Sequence, residues 1–69
     1  MEIINLREDF IKLGQALKAS GLAQSGVDAK FYVQEGLVKV NGQVETRRGK
    51  KLVVGDIIEF NGRTVKIEA

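Results

Sequence analysis

The sequence predicts an α+β fold in which a pair of helices precedes a small, mostly antiparallel β-sheet. Before Gly36, apolar residues recur at helical spacing, as Leu13 and Leu17 do. After Gly36 the spacing changes to the alternation of apolar and polar residues that is typical of strands. Asn-Gly pairs at 41–42 and 61–62 each separate two apolar runs, and this pair readily adopts the positive φ angles of a two-residue hairpin turn.

The first helix is predicted by apolar residues at positions i, i+3 and i+7, namely Phe10, Leu13 and Leu17. Its start is open: Asn5 and Glu8 could form a capping box, or the helix could begin at Glu8 or Asp9. Gly21 supplies a C-terminal cap and should end it. Gly14 lies inside the helix at a cost of about 1 kcal/mol relative to alanine, which favours close packing against another element there.

A second helix is predicted over residues 26–35, with Ser25 as its N-cap and Gly36 at its end. Its apolar residues form two adjacent rows, which are Val27 with Phe31 and Ala29 with Val33. The connection between the helices is only the five residues GLAQS. We therefore expect the two helices to pack as a crossed pair.

Two hairpins and one edge strand complete the prediction. The first hairpin covers residues 37–40 and 43–46, and the second covers residues 57–60 and 63–67. Residues 54–56, Val-Gly-Asp, form a tight turn that leads into the second hairpin. Ile3 and Ile4 are candidates for a short edge strand.

The aromatic residues are few, and we assign most of them to packing. Phe10, Phe31 and Phe60 lie at core-phase positions. Tyr32 lies off that phase, and two interpretations remain open for it. It could stack on an unpaired nucleobase, or it could be a half-buried tyrosine at the edge of the helix pair.

Composition bounds the class of protein. The chain has 69 residues, so we predict a single domain over residues 1–69, near the lower size limit for a core without covalent staples. It contains no cysteine and no histidine, which excludes disulfides, thiolate metal sites and the usual nucleophile–base sets, so we predict neither an enzyme nor a cofactor. The charged N-terminal segment resembles neither a signal peptide nor a membrane anchor, and we expect a cytoplasmic monomer.

Positive charge is concentrated in the middle of the chain. Residues 30–51 contain six basic and two acidic residues, a net charge of +4, whereas residues 1–29 and 52–69 each have a net charge of −1. Within these residues, four cations surround Gly49 in the sequence Arg47-Arg48-Gly49-Lys50-Lys51, which we call the basic segment. We interpret it as a flexible loop at the end of the first hairpin. A polyanion is the natural partner for such a distribution.

Residues 12–42 also carry a spaced series of residues that is specific as a whole. The series consists of Lys12-Leu13, Leu17, Gly21, Ser25, Ala29-Lys30, Gly36 and the string Val38-Lys39-Val40-Asn41-Gly42. It resembles the alpha-L RNA-binding motif of the ribosomal protein S-four family, and the short chain looks most like the stand-alone bacterial members of the YbcJ and YaaA type. Gly14 and Gly26 stand where the family pattern has aspartate and arginine.

The resemblance implies a two-helix alpha-L motif that binds structured RNA, most of all ribosomal RNA and next transfer RNA, in ribosome assembly or translation. Together with the basic segment it predicts an RNA-binding set of Lys12, Ser25, Lys30, Lys39, Asn41, Arg47, Arg48, Lys50 and Lys51. Lys18 lies outside the motif and is a secondary candidate. Two alternatives stay open: an adaptor that docks an acidic translation or ribosomal protein through the basic segment, and a DNA-binding domain.

Overall fold

The computed structural model describes all of residues 1–69 and contains two helices and seven strands. The elements are β1 (Glu2–Asn5), β2 (Ile11–Lys12), α1 (Leu13–Ala19), α2 (Gly26–Gln34), β3 (Val38–Val40), β4 (Gln43–Val44), β5 (Lys51–Leu52), β6 (Ile57–Phe60) and β7 (Arg63–Glu68). This architecture confirms the predicted α+β class. Neither helix is long and apolar enough to span a bilayer.

Five strands form the main sheet, in the order β1-β7-β6-β3-β4. All neighbouring pairs are antiparallel except β1 and β7, which run parallel with Glu2 opposite Val65. The predicted edge strand is thus confirmed. A second, two-stranded sheet pairs β2 with β5, with Ile11 opposite Leu52. This sheet was not predicted, because each of its strands has only two residues, too few to show a period in the sequence.

The first helix begins later than we predicted. Its N-cap is Lys12, so the expected starts at Asn5, Glu8 or Asp9 are wrong. The chain is extended at both places that would have supplied the extra turns, because residues 2–5 pair with β7 and residues 11–12 pair with β5. The predicted end is correct: Gly21 follows the helix with a φ angle of 79°.

The second helix buries one of its two apolar rows. Ala29 and Val33 have no exposed surface, whereas Val27 and Phe31 are 77% and 57% exposed. The assignment of Phe31 to a core-phase position is therefore wrong. A helix of nine residues in a domain of this size contacts the rest of the protein along one side, and the small Ala29 lets that side approach closely.

Both predicted hairpin turns are present. Asn41 and Asn61 each have a φ angle of 53°, and the glycines that follow them also have positive φ angles. The first hairpin is shorter than predicted because β4 ends at Val44. The turn at residues 54–56 is confirmed, with the Asp56 amide donating to the Val53 carbonyl over 3.0 Å.

The core lies between the helix pair and the sheets and consists of aliphatic side chains and alanines. No polar or charged residue is buried. The cluster contains Leu13, Ala16, Leu17, Leu22, Ala23, Ala29, Val33, Val38, Val40, Leu52, Ile58, Val65 and Ile67. Leu52 brings β5 into this core, which fixes the segment before it against the helices.

Candidate RNA interface

The basic segment, which follows β4 and runs into the first residue of β5, is attached to the start of α1 by backbone hydrogen bonds. The Gly14 amide donates to the Arg48 carbonyl over 3.0 Å, and the Leu13 amide donates to the Lys50 carbonyl over 2.8 Å. These are two of the amides that an α-helix leaves unpaired in its first turn. The segment is thus held against the helix, and the interpretation of a flexible loop at the end of a hairpin is wrong.

Gly14 is in direct contact with the Arg48 side chain. A Cβ atom at position 14 would lie 2.6 Å from Arg48 Cγ, closer than real Cβ atoms approach, and 3.1 Å from Arg48 Cδ, which is a tight contact. Gly14 is buried and belongs to the first turn of α1. The predicted close packing at this glycine is confirmed, and the element that approaches it is the basic segment.

A recess of about 320 Å³ opens beside this contact. Its lining is formed by Lys12, Gly14, Gln15, Lys18, Gly26, Ala29, Arg48 and Gly49. Three of these residues are cationic, none is acidic, and Ala29 has the only apolar side chain. Gly14 and Gly26, the two departures from the family pattern, both face this space, which we call the basic recess.

The three cations of the basic recess are not compensated by carboxylates. The ion pairs of the protein are Arg47 with Glu45, Arg63 with Glu2 and Lys66 with Glu68. Lys12, Lys18 and Arg48 take part in none of them, and all three side chains are exposed. The recess therefore presents unpaired positive charge to solvent, which is a suitable environment for an anion.

Arg47 differs from its neighbour Arg48 because it is paired. Its Nε donates to Glu45 Oε2 over 3.0 Å, its second guanidinium nitrogen donates to Oε1 over 3.2 Å, and its backbone amide also donates to Oε2 over 3.0 Å. These bonds, the guanidinium ones first, lower the pKa of Glu45 to about 2, and the same pair raises the pKa of Arg47. Part of the positive charge of Arg47 is thus neutralised within the protein.

Lys50 and Lys51 line a second recess, which also contains Arg47 and adjoins the basic recess at Gly49. Lys51 Nζ lies 4.7 Å from the centre of the Phe10 ring, a cation–π contact. The Phe10 side chain supports this lysine, and the residue is 37% exposed. The prediction that Phe10 packs in the core is wrong, because it precedes the helix instead of lying on it.

The remaining predicted residues lie outside both recesses. Ser25 caps α2 by accepting a hydrogen bond from the Asp28 amide over 3.1 Å. Lys30 is exposed on α2. Lys39 lines a separate recess with Arg63 and is directly opposite Glu59 on the neighbouring strand.

Asn41 has its side chain engaged in the fold. Its Nδ2 donates to Asp56 Oδ1 over 3.0 Å, and its Oδ1 accepts from the Ile57 amide over 2.9 Å. These bonds connect the first hairpin turn to the turn before β6. A role for Ser25, Lys30, Lys39 or Asn41 in RNA contact stays a prediction.

Tyr32 and Phe31, which are neighbours on α2, lie in different environments. Tyr32 stacks on Phe60, with ring centres 4.6 Å apart and an interplanar angle of 29°, and both pack against the core. The half-buried interpretation of Tyr32 is therefore correct. Phe31, which we placed in the core, is more exposed than Phe10 and is next to Lys30 in the sequence.

Lys18 is the residue that sequence reasoning undervalued. It lies on α1, and Lys12 lies on the strand before it, so no helical period relates the two. Arg48 joins them from another part of the chain through the Gly14 contact. The pairing of β2 with β5 and the hydrogen bonds of the Leu13 and Gly14 amides bring the three together, and these long-range contacts have no signal in the sequence.

Comparisons with known proteins agree with this geometry. The model of the S4 domain family matches residues 4–68. The chain is 44% identical over 59 residues to the probable ribosome maturation protein RlbA of Bacillus subtilis, covering 86% of this chain and 83% of that protein. It is 42% identical over 63 residues to the putative RNA-binding protein YbcJ of Escherichia coli, covering 91% and 90%.

A solved structure shares the whole fold. The solution structure of YbcJ from E. coli, which contains an alpha-L motif involved in RNA binding, covers 100% of this chain and 89% of that chain. The two share 38% of their residues and superimpose with a TM-score of 0.77. Family model, relatives and structure all extend over nearly the full length. The chain therefore belongs to the S4 domain family.

Proposed function

We propose that this protein binds structured RNA and acts by binding, without catalysis. The observation that carries the proposal is the basic recess, where Lys12, Lys18 and Arg48 meet with no carboxylate among them. Lys50 and Lys51 extend the same surface across Gly49. Membership of the S4 domain family and the name of the relative YbcJ support RNA as the polyanion.

The mechanism is electrostatic docking to the RNA backbone. Double-stranded RNA offers proteins its shape and phosphates more than its base edges. The two recesses are lined by lysine and arginine and by no aromatic residue, which suits that mode. If roughly five phosphates are neutralised, the logarithm of the affinity falls with the logarithm of the salt concentration at a slope of about −4.

We further propose that the RNA is ribosomal. The name of the relative RlbA, a probable ribosome maturation protein, supports this choice over transfer RNA. The experiment is sedimentation of the untagged protein with ribosomal subunits and their precursors in low-salt gradients, with and without nuclease treatment. We expect association that disappears with the RNA or at raised salt.

Direct binding separates RNA from the other polyanions. The probe is a fluorescein-labelled RNA hairpin with an unpaired bulge, competed with the same hairpin in DNA and with polyglutamate of equal charge. Preferred binding of the RNA is the expected result. Equal competition by polyglutamate would favour a protein-docking adaptor, equal competition by DNA would favour a DNA-binding domain, and either would overturn the proposal.

A further inference from the structure

The geometry around Gly14 points to a specific anion site. We propose that Lys12, Lys18 and Arg48 together bind one phosphate group, and that the absence of a side chain at Gly14 leaves the space in which Arg48 lies. As applied to a phosphate of the RNA backbone, this inference rests on the proposed function. It goes beyond a general basic surface, because it assigns unequal roles to neighbouring cations of the same charge.

The lining of the recess matches a small, strongly charged group. The volume of about 320 Å³ is near the lower end of the range of small-molecule sites, roughly 300 to 1,000 Å³. Such sites are usually apolar, whereas here Ala29 has the only apolar side chain. An apolar ligand would gain little from this lining, but an anion meets three cations without having to displace an internal carboxylate partner.

Arg48 is the member that can grip a phosphate by two hydrogen bonds at once. A guanidinium forms a planar fork that matches phosphate oxygens, whereas a lysine ammonium acts as a point charge. Gly26, the first residue of α2, also lines the recess, so the positive end of a nine-residue helix adds to the local field. The helix end supports the site, and the three cations constitute it.

Gly14 controls where the Arg48 side chain lies. Any side chain at position 14 would collide with Arg48 Cγ, at 2.6 Å from the Cβ position, and would push the guanidinium away from α1. The Arg48 side chain is exposed, so it can move without disturbing the core. Gly14→Ala should therefore displace one member of the site while leaving every charge unchanged.

The matched control is Gly26→Ala, which adds the same methyl group to the lining of the same recess. A Cβ atom at position 26 meets no atom within 4 Å, and the residue has no positive φ angle. This variant reports what a methyl group does by occupying the recess. The difference between the two variants isolates the displacement of Arg48.

The first test measures the affinity of each variant for the RNA hairpin at fixed salt. We expect Arg48→Gln to weaken binding about five- to tenfold and Gly14→Ala about threefold or more, with Gly26→Ala within about twofold of the wild type. In the double variant, Gly14→Ala should add nothing to Arg48→Gln, because its effect acts through the absent guanidinium. Equal affinities for the two alanine variants, or additive losses in the double variant, would overturn the inference.

Arg47→Gln is the control for charge alone. It removes the same charge one residue away, but from a guanidinium that is already paired with Glu45. The site predicts a smaller loss for Arg47→Gln than for Arg48→Gln. A general basic surface predicts equal losses, and that result would contradict the inference.

The second test does not depend on RNA. Inorganic phosphate is titrated into the ¹⁵N-labelled protein, and the backbone amide resonances are followed. We expect saturable shifts concentrated at Gly14, Gly26 and Gly49, with about tenfold weaker binding in Arg48→Gln. Shifts spread evenly over all basic segments would overturn the site. If the wild type binds no RNA hairpin but phosphate produces the localised shifts, the proposed function fails and the site stands.

Discussion

Neutralising Glu45 should make this protein a stronger RNA binder. The Glu45 carboxylate holds Arg47 by two guanidinium contacts, although the Arg47 side chain is 71% exposed and lies on the basic surface. Glu45→Gln removes the negative charge and keeps an oxygen that can accept from the Arg47 amide. Because exposed ion pairs contribute only about 0 to 1 kcal/mol to stability, the variant should fold normally.

The size of the effect follows from counting phosphates. If the released Arg47 contacts one additional phosphate, the salt slope becomes steeper by about 0.7 to 0.9, which corresponds to about five- to eightfold tighter binding at about 0.1 M salt. The assay is fluorescence anisotropy of the labelled RNA hairpin over a series of salt concentrations. The slope is the decisive quantity, because it reports the number of contacts independently of the affinity at any one salt concentration.

Glu68→Gln is the matched control. Glu68 pairs with Lys66 at 3.8 Å on β7, so the variant makes the same change in net charge at another exposed ion pair. We expect it to change the affinity only slightly and to leave the slope unaltered. If Glu45→Gln binds no more tightly than Glu68→Gln, or if the slope does not steepen, then Glu45 does not limit Arg47 and the reasoning is refuted.

Three further predictions concern stability and are measured by urea denaturation. Val33→Ala should lower the free energy of unfolding by about 2 kcal/mol, because Val33 is fully buried. Val27→Ala should change it by less than about 0.5 kcal/mol, because Val27 is 77% exposed on the same helix. Equal losses would contradict the assignment of the buried row. Asn41→Gly keeps the backbone conformation but loses two side-chain hydrogen bonds, so it should cost about 1 to 2 kcal/mol more than Asn61→Gly. The ion pair with Arg47 holds the pKa of Glu45 at about 2, below the ordinary 4.5, so this carboxylate stabilises the fold above pH 4.5. Its contribution should be lost as the pH falls from 4.5 towards 2. If Glu45→Gln loses as much free energy of unfolding over this pH range as the wild type, that reasoning is refuted.

The sequence predicted the elements that depend on local chemistry. The Asn-Gly turns follow from the backbone preferences of those two residues, and the end of α1 follows from Gly21. The Ser25 cap was likewise visible, because a serine before a helix satisfies an amide that has no other partner. In each case the information lies within four residues of the element.

The missed features depend on contacts between distant parts of the chain. The start of α1 was placed too early because residues 11–12 pair with residues 51–52, and a strand of two residues has no periodicity to detect. The same pairing determines which cations meet, so Lys18 was undervalued. The inequality of Arg47 and Arg48 depends on one side chain, Glu45, and the net charge of the segment does not reveal it.

The attachment of the basic segment to α1 affects the thermodynamics of binding as well as its geometry. With the Arg48 and Lys50 carbonyls already bound by helix amides, this backbone is ordered before any partner arrives. The entropy cost of arranging it is met during folding, so association should proceed without the large heat-capacity change of a segment that folds as it binds. A preformed surface also cannot reshape itself to suit every polyanion. The protein should therefore discriminate among RNAs by the spacing of their phosphates, and a flexible tail of the same charge would not.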